Sequence, residues 1–459
     1  MAQQVSLVRQ LGVPSAAALV VSNMVGAAIF TSTGFFARDL GDVSLVLGIW
    51  VVGAFVALAG AFCYSELGVN FPSSGGEYVY LTQAYGPVWG FMTGWVSLIA
   101  GFSAPIAASA LSFSNYMAYF FPQLKAGNEF LVFGPDWLTL RIGWAQVVAM
   151  LVIIAMTAVN FFDIKAVARA QNWFTAFKMT VLVAFIAAGF LAGNGDWGNL
   201  SQNTPRASTL PIWNQFFVSL CFVSLGYSGW NAATYIAEEL KQPKRTLPLA
   251  LAAGTLCVTL LYFVLNVLYI YAVPLSVLKE PVYAVGSVAA SRLFGPQIAG
   301  AFSLLMALAL FATVNAMVTI GPRVYYAMAQ NKAFFAMAGE LSPRTRTPLK
   351  AIVVQGIVSI LITATPLPDL MLFIGFTLNI FTVITVASLF IFRKRPNWEK
   401  LPVVSFLYPL FPVIYIVVGL WITYFGITSA PRHSFTALGL IAVGALIYKF
   451  RIQPHAAHS

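Results

Sequence analysis

Charge is what this chain of 459 residues has least of: Asp, Glu, Lys and Arg make up 8% of it, against a hydrophobic share of 59%. A water-soluble domain of that size carries roughly 25% charged residues, because its surface has to meet water. A soluble globular fold is therefore excluded, and the mean hydropathy of +0.83 agrees. Histidine is nearly missing as well. The three present, His433, His455 and His458, lie at or beyond the last apolar stretch, so no imidazole is buried where it could relay protons. The three cysteines, Cys63, Cys221 and Cys257, all sit inside apolar stretches. None falls in an outer loop, which argues against a disulfide framework and gives no sign of a disulfide-linked heavy chain. A membrane-embedded enzyme would need paired Asp, His-rich metal ligands or a Ser/Lys dyad at depth. No such set is visible, so neither an enzyme nor a cofactor or metal is expected.

What the chain has in quantity is long apolar runs. They span roughly 13–37, 43–69, 87–120, 143–162, 167–192, 212–238, 247–273, 297–328, 349–366, 370–392, 402–426 and 434–450. A helix needs about 20 apolar residues to cross a bilayer. Backbone groups in hydrocarbon must bond internally, so only helices or closed barrels span. Continuous apolar runs do not fit the alternation of a barrel strand. The expected fold is all-α and polytopic, with about twelve transmembrane helices, the lipid bilayer as its solvent and no soluble domain.

The net charge of +11 would suit nucleic acid, but its placement excludes that partner. If the N-terminus is cytoplasmic, seventeen of the 25 Lys/Arg fall on the cytoplasmic side, among them Lys241, Lys244, Arg245, Arg323, Lys332, Arg393, Lys394 and Arg395. Seven fall outside, and Lys178 lies within a span. This is the positive-inside pattern of a cell-membrane protein with both termini in the cytoplasm. The first apolar run lacks a small-residue cleavage site, so no cleavable signal peptide is expected.

Two spans are irregular. The first contains Val25-Gly26-Ala27-Ala28-Ile29-Phe30-Thr31-Ser32-Thr33-Gly34, and the sixth contains Leu225-Gly226-Tyr227-Ser228-Gly229-Trp230-Asn231. Glycine with clustered hydroxyls at mid-membrane loosens a helix and frees backbone N–H and C=O groups. Interrupted helices at matching places in two halves point to a transporter's binding site. The free N–H groups and positive end of a half-helix suit a carboxylate. Close helix packing is the competing explanation for such glycines, and it fits Gly90 and Gly94 in the third span better than it fits a symmetric pair of breaks.

The motifs along the chain resemble those of the amino acid–polyamine–organocation superfamily, and most closely its L-type amino acid transporter branch. Gly26-Ala27-Ala28-Ile29-Phe30 is similar to the family's first-span motif. Tyr64-Ser65-Glu66-Leu67-Gly68 and Pro72 through Tyr80 resemble its signature after span two, and Asn160 through Lys178 its fourth loop and fifth span. Tyr227-Ser228-Gly229-Trp230-Asn231, Glu238-Glu239, Pro243 through Pro248 and Gly321-Pro322-Arg323 complete the series. The resemblance covers roughly residues 10 to 395. It implies a LeuT-type fold of two inverted five-helix repeats, about 12–194 and 212–392, with spans eleven and twelve added at 401–450. It also implies that Val25, Gly26, Ala27, Ala28 and Ile29 meet the carboxylate of an amino acid substrate, and that Leu225, Gly226, Tyr227, Ser228 and Asn231 meet its amine and side chain. Ala28 stands where the family usually has a second glycine, and Leu225 where many relatives have an aromatic cap. A shifted carboxylate geometry and a weaker gate, or one from another span, are expected.

Lys178 has no acidic neighbour in sequence and sits too deep for its stem to reach water. A charge at that depth is functional by default. In sodium-coupled members of the resembled fold, carbonyls and hydroxyls hold an ion at the corresponding place, and in the L-type branch a lysine takes it. Sodium-independent transport is therefore expected, with Lys178 tying span five to the first break.

Ser228 occupies the position where relatives handling cationic amino acids carry Asp. Glu66, Glu77, Asp163, Glu238 and Glu239 are expected at cytoplasmic ends, which leaves no counter-charge for a cationic side chain. Neutral amino acids are the expected substrates, by exchange or proton coupling. A broader permease that takes cationic amino acids is the alternative, and a membrane-embedded sensor a more distant one. A channel would need pore-lining rings or a filter, and none is visible. Glu238 and Glu239 are candidates for an inner gate, and 275–296 for an outer lid.

Overall fold

The computed structural model describes residues 11–452, apart from 73–74, 126, 136–138, 162–163, 280–283 and 343–346, and without the side chains of 164–172 and 238–239. The expected inner-gate pair Glu238 and Glu239, together with Asp163, Lys165, Arg169, Arg344 and Arg346, thus falls outside the described side chains.

The chain folds as a helix bundle. Its spans are Val43–Asn70, Pro87–Met117, Ile212–Ala237, Pro243–Ala272, Pro296–Gln330, Leu367–Phe392, Leu410–Ser429 and Pro431–Ile452, with Trp173–Ala192 as the described part of the fifth. Among the described residues these nine are long and apolar enough to cross a membrane. A tenth forms if the bent pair Val13–Met24 and Ala27–Asp39 is one span. The fourth and ninth expected spans are shorter apolar helices, Trp144–Val159 and Leu349–Ile362. One departure from an all-helical chain is an antiparallel hairpin, Glu129–Phe133 with Leu140–Gly143, between the third and fourth spans.

Packing places the interrupted spans at the centre. The first half-helix and the second span both lie along the seventh, and the tenth and eleventh spans lie against the sixth. The tenth-to-sixth approach needs glycine: a Cβ at Gly375 would come within 2.2 Å of the Cys221 carbonyl oxygen. Gly90 and Gly94 do serve packing, since a Cβ on either would collide with Thr82 or Met328. Large apolar side chains such as Val183, Leu191, Leu260 and Leu361 point outward and exposed. That surface is matched to lipid tails, which lack the penalty water would impose.

At one end of the bundle, Arg393 grips Glu66 through two short bonds of 2.7 and 2.6 Å, with Glu66 fully buried. Trp398 and the Leu401 N–H complete the carboxylate's shell. Removing one partner of such a pair strands a buried charge, so the clamp fixes the end of the second span to that of the tenth. Helices Leu275–Leu278 and Val285–Phe294, from the proposed lid segment, pack on the half-helix Ala27–Asp39.

Candidate functional site

The first break is short. Helix Val13–Met24 stops, Val25 and Gly26 run extended (φ −75°, ψ 92° and φ −133°, ψ −158°), and a new helix starts at Ala27 with a 48° bend. Thr31 to Thr33, expected to loosen the span, are helical instead; the Thr31 hydroxyl donates back to the Ala27 carbonyl at 3.0 Å. Ala28 also lies in the helix, where any L-residue fits, so the missing second glycine leaves no strain there.

The sixth break lies later than its glycine-first motif suggests. Helix Ile212–Tyr227 includes Leu225 and Gly226, and the chain departs at Ser228 (φ −54°, ψ 138°). Gly229 has φ +98°, and a Cβ there would sit 2.9 Å from the Asn23 carbonyl carbon. Only glycine takes that conformation without strain. After Asn231 the chain resumes as a 3-10 helix, Ala232–Glu239. Gly229, rather than Gly226, is the residue this break requires.

Lys178 and a hydroxyl pair hold the first break to the fifth span, and Tyr262 joins the first break to the sixth. Lys178, 2% exposed, donates from Nζ to the Val25 carbonyl at 2.6 Å and to the Ser22 carbonyl at 3.3 Å. Ser22 and Thr175 pair beside it at 3.0 Å. Among the described residues no carboxylate lies within ion-pair distance of this lysine. The Tyr262 hydroxyl of the seventh span lies 2.7 Å from the Met24 carbonyl and 3.0 Å from the Gly226 carbonyl. A hydroxyl has one proton to give, so it serves one carbonyl at a time and stands between the two half-helix ends. Sequence reasoning passed over Tyr262; the available signal was a tyrosine in an apolar span, whose hydroxyl must find a partner.

A cavity of about 190 Å³ opens between the breaks. Gly26, Ala27, Ala28, Leu225, Tyr227, Ser228 and Asn231 line it, while Val25, Ile29 and Gly226 stand behind the wall. Val25 has neither backbone group free, since its N–H bonds to Val21 and its carbonyl takes the lysine. The first N–H groups of the half-helix, from Ala27 onward, have no partner within that helix. Met317, Ile320 and Val324 of the eighth span and Leu378, Asn379 and Thr382 of the tenth carry the wall toward the end of the bundle where those spans finish. On the opposite side, Trp50 stands edge-on to Phe36, Tyr227 and Tyr262 at 5.8, 6.0 and 5.2 Å. Trp50 thus packs among these aromatics behind the wall, which the second span lines with Gly53, Val56 and Ala57.

One expectation is corrected. Glu77, expected at a cytoplasmic end where it leaves the substrate no counter-charge, brings its carboxylate to the cavity wall, bonded to the Tyr64 hydroxyl at 2.7 Å and the Asn231 amide at 3.0 Å. Glycines at 75 and 76 let the connection between the second and third spans turn inward, Gly76 having φ +49° against the Tyr235 ring. The Asn231 amide, nominated for substrate, is engaged by this carboxylate. Lys244 pairs with Glu399 at 2.7 Å.

Comparison with known proteins bears on this arrangement. The profile of the family described as amino acid permease matches residues 11–447. The chain is 28% identical to the large neutral amino acids transporter small subunit 2 of Homo sapiens, over 97% of this chain and 80% of that protein. It is also 28% identical to the serine/threonine exchanger SteT of Bacillus subtilis, over 89% of each. With the Asc-type amino acid transporter 1 of Mus musculus the identity is 27%, over 99% of this chain and 84% of the other. A match that runs through both breaks and all but the chain's extremities leaves one assignment: the chain belongs to the amino acid permease family of the amino acid–polyamine–organocation superfamily, and it is a membrane-embedded amino acid transporter rather than an enzyme.

Proposed function

We propose that this transporter moves neutral L-amino acids across the cell membrane without sodium by alternating access, as an exchanger or coupled to protons. The observation that carries the reading is Lys178. Its ammonium bonds to two carbonyls at the end of the first half-helix, where a metal cation would otherwise balance the exposed carbonyl oxygens. A fixed positive group there removes the need for a bound ion.

Substrate polarity follows from the same geometry. The carboxylate meets the N–H groups at the start of the second half-helix, around Gly26, Ala27 and Ala28, aided by the helix dipole. The amine and side chain face Leu225, Tyr227, Ser228 and Asn231 across the cavity. Ser228 at the break supplies a hydroxyl and no charge, and the Glu77 carboxylate is taken up by Tyr64 and Asn231 at the far end of the break, which favours neutral side chains. The printed names of two relatives, a large neutral amino acids transporter and a serine/threonine exchanger, point the same way. Repeats over 12–194 and 212–392, with 401–450 peripheral, would rock about this site, and both termini would face the cytoplasm. Such a transporter would work without a disulfide-linked subunit.

Counterflow in proteoliposomes tests the reading. Labelled alanine, serine and leucine should enter vesicles loaded with the same amino acids at equal rates in sodium and choline buffers. Arginine and glutamate should compete far less than leucine. Uptake that requires a sodium gradient, or arginine competing as strongly as leucine, would overturn it.

A further inference from the structure

Glu77 is the only carboxylate among the described residues that lines the cavity. It opens the short helix Glu77–Tyr85 between the second and third spans and is half-buried. Both donors converge on one oxygen, Oε1: the Tyr64 hydroxyl from the second span and the Asn231 amide from the sixth-span break. The Asn231 amide also lies 3.3 Å from the Tyr235 hydroxyl. A single carboxylate oxygen therefore holds the far end of the break against two other elements.

The groups that surround this carboxylate are Tyr64 of the second span, Tyr80 of its own helix, Tyr235 beyond the break and Tyr415 of the eleventh span. All are neutral at physiological pH, and Asn231 is neutral always. No described lysine, arginine or histidine makes an ion pair with Glu77. The buried cation Lys178 is spent on the first break. Burial pushes the Glu77 carboxyl up from the ordinary range, against the pull of its two hydrogen bonds.

Alternating access must at some stage close the cavity from both sides. Closing it strips water from Glu77, and loss of water favours the neutral form of an unpaired carboxylate. Protonation in turn weakens Oε1 as an acceptor, because bonds to an ionised group are the stronger ones. The two effects reinforce each other: a protonated Glu77 lets the cavity close and loosens its hold on Asn231.

We propose that Glu77 is the proton-binding group of the transport cycle, so that this carrier couples amino acid movement to protons through the sixth-span break. The carboxylate takes a proton from cavity water before closure and returns it to water when the cavity reopens on the other face. No bond other than O–H forms or breaks. The inference rests on the amino acid transport reading and adds a second transported species to it.

The full-length protein in proteoliposomes tests it, with labelled leucine as probe in two assays. In leucine-loaded vesicles, wild-type counterflow should run faster in mildly acidic than in mildly alkaline buffer. In empty vesicles, an alkaline interior should drive leucine accumulation, at most about tenfold per pH unit for one proton. Glu77→Gln should abolish the accumulation and give counterflow with the same rate in both buffers. Should that variant fail to fold, Tyr64→Phe removes one donor to the ionised form and should move the midpoint of the pH profile upward. Accumulation that survives in Glu77→Gln, an unmoved midpoint in Tyr64→Phe, or wild-type counterflow indifferent to pH would overturn the proposal. No leucine counterflow in the wild type in either buffer would instead count against the transport reading beneath it.

Discussion

The two breaks reach the same interrupted backbone by different means. The first is held open from outside its own segment. Lys178 lies 153 residues away in sequence, yet its ammonium fixes the Val25 carbonyl. Backbone angles at Val25 and Gly26 are ones that any residue adopts. The sixth is held open from within, by Gly229 at φ +98°. The Tyr262 hydroxyl at the Gly226 carbonyl and the Glu77 carboxylate at the Asn231 amide restrain it further. A break can thus be written into a local glycine or imposed by a distant cation, and the two are expected to fail differently when mutated.

Substituting Lys178 should have the largest effect. Lys178→Ala leaves buried carbonyls without charge-assisted donors, a loss of about 1.5–3 kcal/mol, or roughly 10- to 150-fold in transport. Leucine counterflow per unit of monodisperse protein measures it, and a near wild-type rate would mean that the first break does not depend on the lysine. Next comes Gly229→Ala, which forces a strained φ and a clash with Asn23 for about 1–3 kcal/mol of stability. A lowered melting midpoint in detergent is the expected outcome, and an unchanged one would remove the claim that glycine holds the sixth break.

Smaller changes sharpen the contrast. Tyr262→Phe removes the hydroxyl shared between the half-helix ends, at about 1 kcal/mol, or roughly fivefold in leucine affinity. Binding measured by competition should weaken by that factor in the folded variant. Gly26→Ala should barely alter stability, by less than about 0.5 kcal/mol, because its Cβ would meet nothing closer than 3.9 Å. Its added methyl borders the cavity, so leucine affinity should fall while the melting midpoint holds. If both glycine variants lost stability equally, the distinction between the breaks would collapse.

Much of the site could be read from residue types alone. Glycines amid apolar runs located both interruptions, because little else in a span frees backbone groups from a helix. A lysine without an acidic neighbour had to find oxygens at depth, and the ends of broken helices are where oxygens are free. What was misplaced had a common cause. Gly226 reads as the centre of the sixth break because glycine marks a break, yet Gly229 is the glycine that lies beyond the helix. Whether a given glycine is helical depends on its neighbours: Gly226 stays in its helix against Trp50, and Gly229 leaves it. Thr31 to Thr33 looked loosening, yet a threonine hydroxyl can bond its own helix, as Thr31 does. Glu77 reads as a residue of a cytoplasmic end because its sequence position is a connection between spans, and nothing local shows a connection folding inward.

By itself the sequence determined the environment and the architecture's periodicity. So little charge and so many apolar runs admit no solvent but lipid, and lipid admits no backbone but one bonded within itself. It also determined that something must interrupt two of the spans. The tertiary structure decided which groups meet at the interruptions. Lys178 with Val25, Tyr262 with Met24 and Gly226, and Glu77 with Asn231 are all pairs distant in the chain. Their meeting follows from how helices pack, because a buried polar group must find whichever partner packing brings within reach, and packing is settled by shapes summed over the whole bundle.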